Sequence, residues 1–128
     1  GGNKSNGYTY SGSNRIDEVA WYYKNSYDLG TSHPNYGTNS VGTKKANELG
    51  IYDMSGNVWE WCEDTWHESY LGAPGNGTAW LTGGNDSRRV LRGGSWYYVD
   101  YDCRVANRNG FTPALRFNYL GFRLARGI

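Results

Sequence analysis

The chain predicts one small α+β domain made largely of loop, and three observations carry that reading. Its 128 residues leave room for a single hydrophobic core. Its 19 glycines, set among Asn and Ser clusters, break every stretch of helical periodicity and favour turns and short strands. Only 38% of residues are hydrophobic and mean hydropathy is -0.78, yet 16% are aromatic, including 12 Tyr and 6 Trp. The core is therefore expected to be built from rings rather than aliphatic side chains.

Taken in order, residues 1 to 14 are rich in Gly, Asn, Ser and Tyr and read as an irregular lead-in. A short helix is expected over Ile16 to Tyr23, with Ser13 or Asn14 as cap and Asp17 and Glu18 in the first turn. Asn25 to Thr43 carries turn residues throughout and reads as an ordered loop at most. Asn47 to Gly50 forms a turn feeding Ile51 to Met54, Gly56-Asn57 punctuates, and Val58 to Trp61 alternates as a strand. Tyr70 to Asp86 is expected to be a surface connection. Arg89 to Trp96 and Leu120 to Arg126 show the apolar and polar alternation of two more strands.

Thirteen basic against twelve acidic residues leave a net charge of +1, which offers no long-range attraction to nucleic acid or to an anionic membrane. No apolar run approaches the ~20 residues that span a bilayer, so no direct membrane insertion is expected. Cys62 and Cys103 are open to three readings: buried thiols, one disulfide, or metal ligands.

Between the two late strands lies the candidate ligand-binding region: Tyr97, Tyr98, Asp100, Tyr101, Asp102, Asn107, Asn109, Phe111, Thr112, Ala114, Leu115, Phe117 and Tyr119. Tyrosine gives large contact area at small entropic cost, and Asn, Asp and Thr add adaptable hydrogen bonds, the mixture of antibody loops. The plainer alternative is a tyrosine-rich loop covering the core.

Three blocks carry a family resemblance: Asn47-Glu48-Leu49-Gly50-Ile51-Tyr52-Asp53-Met54-Ser55-Gly56-Asn57-Val58-Trp59-Glu60-Trp61-Cys62, then Arg89 to Trp96, then Leu120 to Ala125. In this order and spacing they resemble the formylglycine-generating enzyme (sulfatase-modifying factor) family, with Val41 to Lys45 leading into the first block. The resemblance implies an α+β, C-type-lectin-like fold with a twisted antiparallel sheet and abundant loop, here compact or N-terminally shortened.

The family's enzymes oxidise a substrate cysteine with copper held by two active-site thiols, because soft sulfur selects Cu(I). Where the first of those cysteines belongs, this chain has Tyr98. Cys103 falls near the second, although the match slips when counted back from Gly121. No copper and no enzyme activity are therefore expected. A relative's histidine-held iron needs more ligands than His33 and His67 provide.

The same blocks occur in the hypervariable proteins of diversity-generating retroelements, where adenine-directed mutagenesis turns AAC codons into NNC. Such codons never encode Trp, Lys, Glu, Gln or Met, and none of these occurs from Tyr97 to Tyr119. Ordinary loops pass that test too. By this resemblance residues 89–126 form a variable ligand-binding region on a single domain spanning 1–128, displayed on a bacterial or phage surface or outside the cell toward a protein or cell-surface ligand. Arg104, Arg108, Pro113 and Arg116 punctuate it as frame positions. The resemblance also implies a structural calcium ion held by Asp53 and the carbonyls of Met54, Gly56 and Val58, oxygen donors that suit a hard cation. The alternative is a metal-free turn in which Asp53 bonds backbone amides.

The frame is expected to rest on Trp59, Trp61 and Trp96, with Phe122 and Leu124 packed onto them. Arg92, Arg104 and Arg123 would hold loop carbonyls or pair with Glu60, Glu63 and Asp64.

Overall fold

The computed structural model describes residues 2–125, so the expected last strand from Leu120 to Arg126 extends one residue outside them. One helical turn, α1 (Ile16–Val19), precedes four strands: β1 (Trp59–Trp66), β2 (Asn85–Arg92), β3 (Asn109–Phe111) and β4 (Leu120–Gly121). They form one sheet in the order β3-β2-β1-β4. β1 and β2 pair antiparallel, Trp61 opposite Leu91, with bulges toward Trp66. β3 is antiparallel to β2, while β4 runs parallel to β1 through Trp59 and Leu120. The sheet is thus mixed: three strands are antiparallel as expected and the edge strand is not.

α1 stops four residues short of the expected end because a side chain competes for its backbone. Asn25 Nδ2 donates to the Ala20 carbonyl at 3.0 Å, and Asn25 Oδ1 accepts the Tyr22 amide at 2.8 Å, which holds the backbone extended after Val19. Ser13, one of the two expected caps, accepts the Arg15 amide and donates to Glu18 Oε2 at 2.8 Å.

The lead-in is irregular, as its composition predicts, yet it enters the core. Tyr10, Val19, Ala20, Tyr22 and Cys103 form one buried cluster, and Trp59 of β1, Leu91 of β2 and Trp96 after it are buried as well. Trp61 is only half-buried. Phe122 and Leu124 do not join the tryptophans: they are 73% and 91% exposed, because pairing ends at Gly121 and no described segment covers the chain beyond it.

The turn Ser55-Gly56-Asn57 binds these parts together. Asn57 N–H donates to the Trp21 carbonyl and Gly56 N–H to that of Gly93, both at 2.7 Å, and the Asn57 carbonyl accepts the Trp96 amide at 2.8 Å. Ser55 Oγ donates to the Cys103 carbonyl at 2.9 Å and accepts the Ser11 amide at 3.1 Å. Gly56 has φ +77, and a Cβ placed on it would sit 2.3 Å from the Trp21 carbonyl oxygen.

Three arginines support irregular backbone as expected. Arg92 donates to the Val105 and Asn107 carbonyls, Arg104 to that of Tyr101, and Arg123 to that of Asp53 while clasping both Glu60 oxygens at 2.6 Å. The connection between β1 and β2 is stapled rather than loose. His67 stacks on Trp80 at 3.5 Å, its ring nitrogens lie 3.0 Å from the Thr65 and Thr82 carbonyls, and Trp80 N–H donates to Asp64.

Gly56→Ala is expected to cost about 2–5 kcal/mol, summing left-handed strain and overpacking. Gly75→Ala, which meets nothing within 4 Å, serves as the neutral control in the same urea titration.

Candidate functional site

The segment after β2 owes its shape to bonds from the frame. Tyr23 N–H donates to the Tyr98 carbonyl at 2.9 Å, Trp96 Nε1 to that of Asn118 at 3.3 Å, and Trp59 N–H to that of Tyr119 at 2.8 Å. These three bonds bring both ends of the 97–119 stretch onto one place.

There the rings make a continuous ridge. Tyr97 and Tyr119 stack at 5.5 Å, and Tyr119 and Phe117 at 4.9 Å with planes only 9° apart. Tyr98 sits behind them, edge-on to Tyr119 and to Trp59. The ridge continues beyond the segment: Tyr27 meets Tyr97 edge-on at 4.5 Å, and Tyr23 and Tyr36 flank Tyr27 at 5.4 and 5.7 Å. Buried Trp96 underlies Tyr27, Tyr36 and Tyr97 within 6 Å of each. Edge-to-face and offset pairs of this kind contribute roughly 0.5–1.5 kcal/mol each beyond burial.

Tyr23, Tyr27 and Tyr36 escaped the sequence reading because only long-range contacts give them this place. The available signal was tyrosine density: six of the 12 lie in the first 36 residues.

The other expected residues divide among three places. Asp100, Tyr101 and Asp102 lie in a 3₁₀ turn, Asp100–Cys103, where Arg104 covers the Tyr101 ring at 3.7 Å. Asn107 Nδ2 donates to the Asp102 carboxylate and carbonyl, so this half-buried pair shapes the loop. Asn109 and Phe111 belong to β3, at the opposite edge of the sheet from β4, and are not brought to the ridge. Thr112, Ala114 and Leu115 are exposed on the way back to Phe117.

Cys62 and Cys103 are both free thiols. Cys103 is fully buried, and that burial pushes its thiol up to about 12, with Asp102 and Asp100 adding to the shift against amide bonds from Gly56 and Ser95. Cys62 is also pushed up by burial. Neither environment favours the thiolate that binds soft metals. No cluster of three His, Cys, Asp or Glu side chains occurs among the described residues.

The Asp53 turn has the donor chemistry of a hard-cation site. Asp53 sits at φ +58, and its Oδ2 accepts the Gly42 amide at 2.7 Å, which leaves the other oxygen open. The carbonyls of Met54, Gly56 and Val58 accept no hydrogen bond from the described residues. Unclaimed carbonyls in one short turn are what a cation would satisfy. Arg123 stands beside them, on the Asp53 carbonyl and Glu60.

Tyr22 and Tyr98, like Cys103, are pushed up to about 12 chiefly by burial. Raised folded-state values mean that the native chain holds these protons more tightly than the unfolded one. That stabilisation is complete below pH about 9 and is lost as pH rises toward about 12. The thermal midpoint is therefore expected to hold steady up to pH about 9 and to fall above it, and a flat profile to pH about 11 would contradict the burial.

Compared with known proteins, residues 1–128 match the model of the sulfatase-modifying factor enzyme 1-like domain. A chaperone protein LppX of Paenibacillus barcinonensis is 45% identical over 105 residues, covering 75% of this chain and 33% of that protein. The formylglycine-generating enzyme of Streptomyces coelicolor is 37% identical over 99 residues, covering 69% and 29%. The solved structure of Treponema denticola variable protein 1 superposes with a TM-score of 0.72 at 32% identity, over 93% of this chain and 41% of that one. The chain thus spans about a third of the length of these curated relatives. Its three blocks, its α+β architecture and the domain match together place it in the sulfatase-modifying factor, or formylglycine-generating enzyme, family.

Proposed function

We propose that the chain is a non-enzymatic ligand-binding protein, a diversity-generating-retroelement variable protein that displays a hypervariable surface on a lectin-like scaffold. The supporting observation is the ring ridge: Tyr97 and Phe117 are 42% and 45% exposed, yet the backbone beneath them is fixed by bonds from Trp59, Trp96 and Tyr23. A frame that holds loops by main-chain bonds tolerates side-chain change, since exposed substitutions away from packing cost within about ±0.5 kcal/mol. The likeness to Treponema denticola variable protein 1 supports the same reading.

The ligand is proposed to be a protein or cell-surface molecule, met outside the cell. Exposed stacked rings such as Tyr97 and Phe117 are the aromatic anchors that dominate protein interfaces. A net charge of +1 argues against nucleic acid.

The competing reading is copper-dependent cysteine oxidation, favoured by the likeness to the Streptomyces coelicolor enzyme. Against it, Tyr98 stands where a thiol belongs and the Cys103 thiol is buried and held protonated. Oxygen uptake with copper and a cysteine-bearing peptide, lost on Cys103→Ser, would overturn the binding reading.

Sequencing the gene and its flank from several clonal isolates tests the proposal. The codons of Tyr97 to Tyr119 are expected to end in C and to differ between isolates, with a near-copy carrying AAC beside a reverse transcriptase. An invariant segment without such a copy would contradict it.

A structural calcium ion is proposed at the Asp53 turn, held by the open Asp53 oxygen and the Met54, Gly56 and Val58 carbonyls. Millimolar calcium is expected to raise the thermal midpoint, and Asp53→Ala to abolish the rise. No rise in the unsubstituted protein would assign the turn to protein bonds alone.

A further inference from the structure

At the Phe117 end of the ridge the surface opens into a cleft of about 500 Å³, lined by Trp61, Leu115, Phe117, Leu120 and Phe122 together with Arg116 and Asn118. Its apolar wall is open to water: Leu115 is 38% exposed, Phe117 45% and Phe122 73%. Phe117 belongs to both features, stacking on Tyr119 and lining the cleft, so the cleft is continuous with the ridge.

Arg116 gives the cleft a direction. Its Nη1 donates to the Pro113 and Leu115 carbonyls at 2.9 and 3.0 Å, which fixes the guanidinium. Nε and Nη2 make no bond to the described residues, and no described carboxylate pairs with Arg116. A held guanidinium with free donors beside an apolar wall is complementary to a carboxylate carried next to a large apolar group.

We infer that this cleft is the anchor site of the protein ligand: it takes one aromatic side chain, phenylalanine or tryptophan, whose adjacent carboxylate pairs with Arg116. The inference rests on the binding reading and adds the chemistry of what is bound. A ring buried between Trp61 and Phe117 supplies the large, desolvated contact that dominates interface energetics. Trp61, Leu120 and Phe122 lie outside the 97–119 segment, whereas Leu115 and Phe117 lie within it. The demand for an apolar group is thus set by the frame, and its fit is set by the variable positions.

The test uses N-acetyl-L-phenylalanine and N-acetyl-L-tryptophan with their carboxamides, titrated onto ¹⁵N-labelled protein. Saturable shifts are expected at the amides of Leu115 to Phe122 and at the Trp61 indole, with the acids binding about two- to fivefold more tightly than the amides. Arg116→Gln is expected to erase that difference, and Leu115→Ser, an exposed change, to weaken both. Absence of saturable shifts at these positions would overturn the inference, as would an acid preference that survives Arg116→Gln. A silent cleft alongside clonal variation at 97–119 would remove the anchor and leave the binding reading standing. A filled cleft on an invariant segment would do the reverse.

Discussion

The fold hangs on a main-chain knot at Ser55-Gly56-Asn57. Regular structure supplies little of the cohesion, since the helix is one turn and two of the four strands have three residues or fewer. The knot joins the Trp21 segment, the Gly93 to Trp96 turn, the Cys103 loop and the Ser11 lead-in through bonds of 2.7 to 3.1 Å. Asn57, at φ +63, extends it to Asn39 by accepting one amide and donating to that residue's carbonyl. Only glycine lets the chain pass this close to Trp21, so geometry rather than apolar area sets the register of the four segments.

That economy has a functional consequence. Apolar burial in this chain is limited, and the tryptophans provide much of it, with Trp59 and Trp96 out of water entirely or almost so. The loop they carry is held through its backbone at Tyr98, Asn118 and Tyr119, which frees its side chains from structural duty at the exposed positions. The tyrosines of the N-terminal third then widen the surface with rings that do not belong to the loop at all. Under the proposed function, recognition would combine this aromatic shelf with changeable neighbours.

How much of this the sequence revealed depended on the range of the interactions. β1 and β2 were legible because Trp59 to Trp61 and Arg89 to Leu91 alternate locally, but β2 lies four residues earlier than the expected Arg89 to Trp96, since Gly93 and Gly94, both at positive φ, turn the chain out of the sheet, and the last strand ends at Gly121 instead of Arg126. The early end of α1 was not, since it is decided by the Asn25 side chain reaching back to Ala20. Phe122 and Leu124 read as core from alternation alone, which cannot tell a covered face from an edge strand that pairs for two residues. Of the candidate segment, Tyr97, Tyr98, Phe117 and Tyr119 converge as a ring-rich composition suggests. Asn109 and Phe111 part from them because a strand pairing at the far edge claims the backbone between. The resemblance carried the Asp53 turn, whose left-handed backbone no periodicity would reveal.

The central claim, a frame that fixes backbone while leaving side chains free, is tested most directly by a proteolytic-stability scan of all single substitutions from Gly94 to Tyr119. Asp100, Thr112, Ala114 and Leu115 are expected to accept most residues within about ±0.5 kcal/mol, and Tyr101 and Phe117, which each give up one ring contact, to lose no more than about 1.5 kcal/mol. Gly94, Ser95, Trp96, Cys103 and Gly110, all buried, are expected to accept almost none. Equal sensitivity in the two groups would contradict the account and return the exposed rings to a purely structural role.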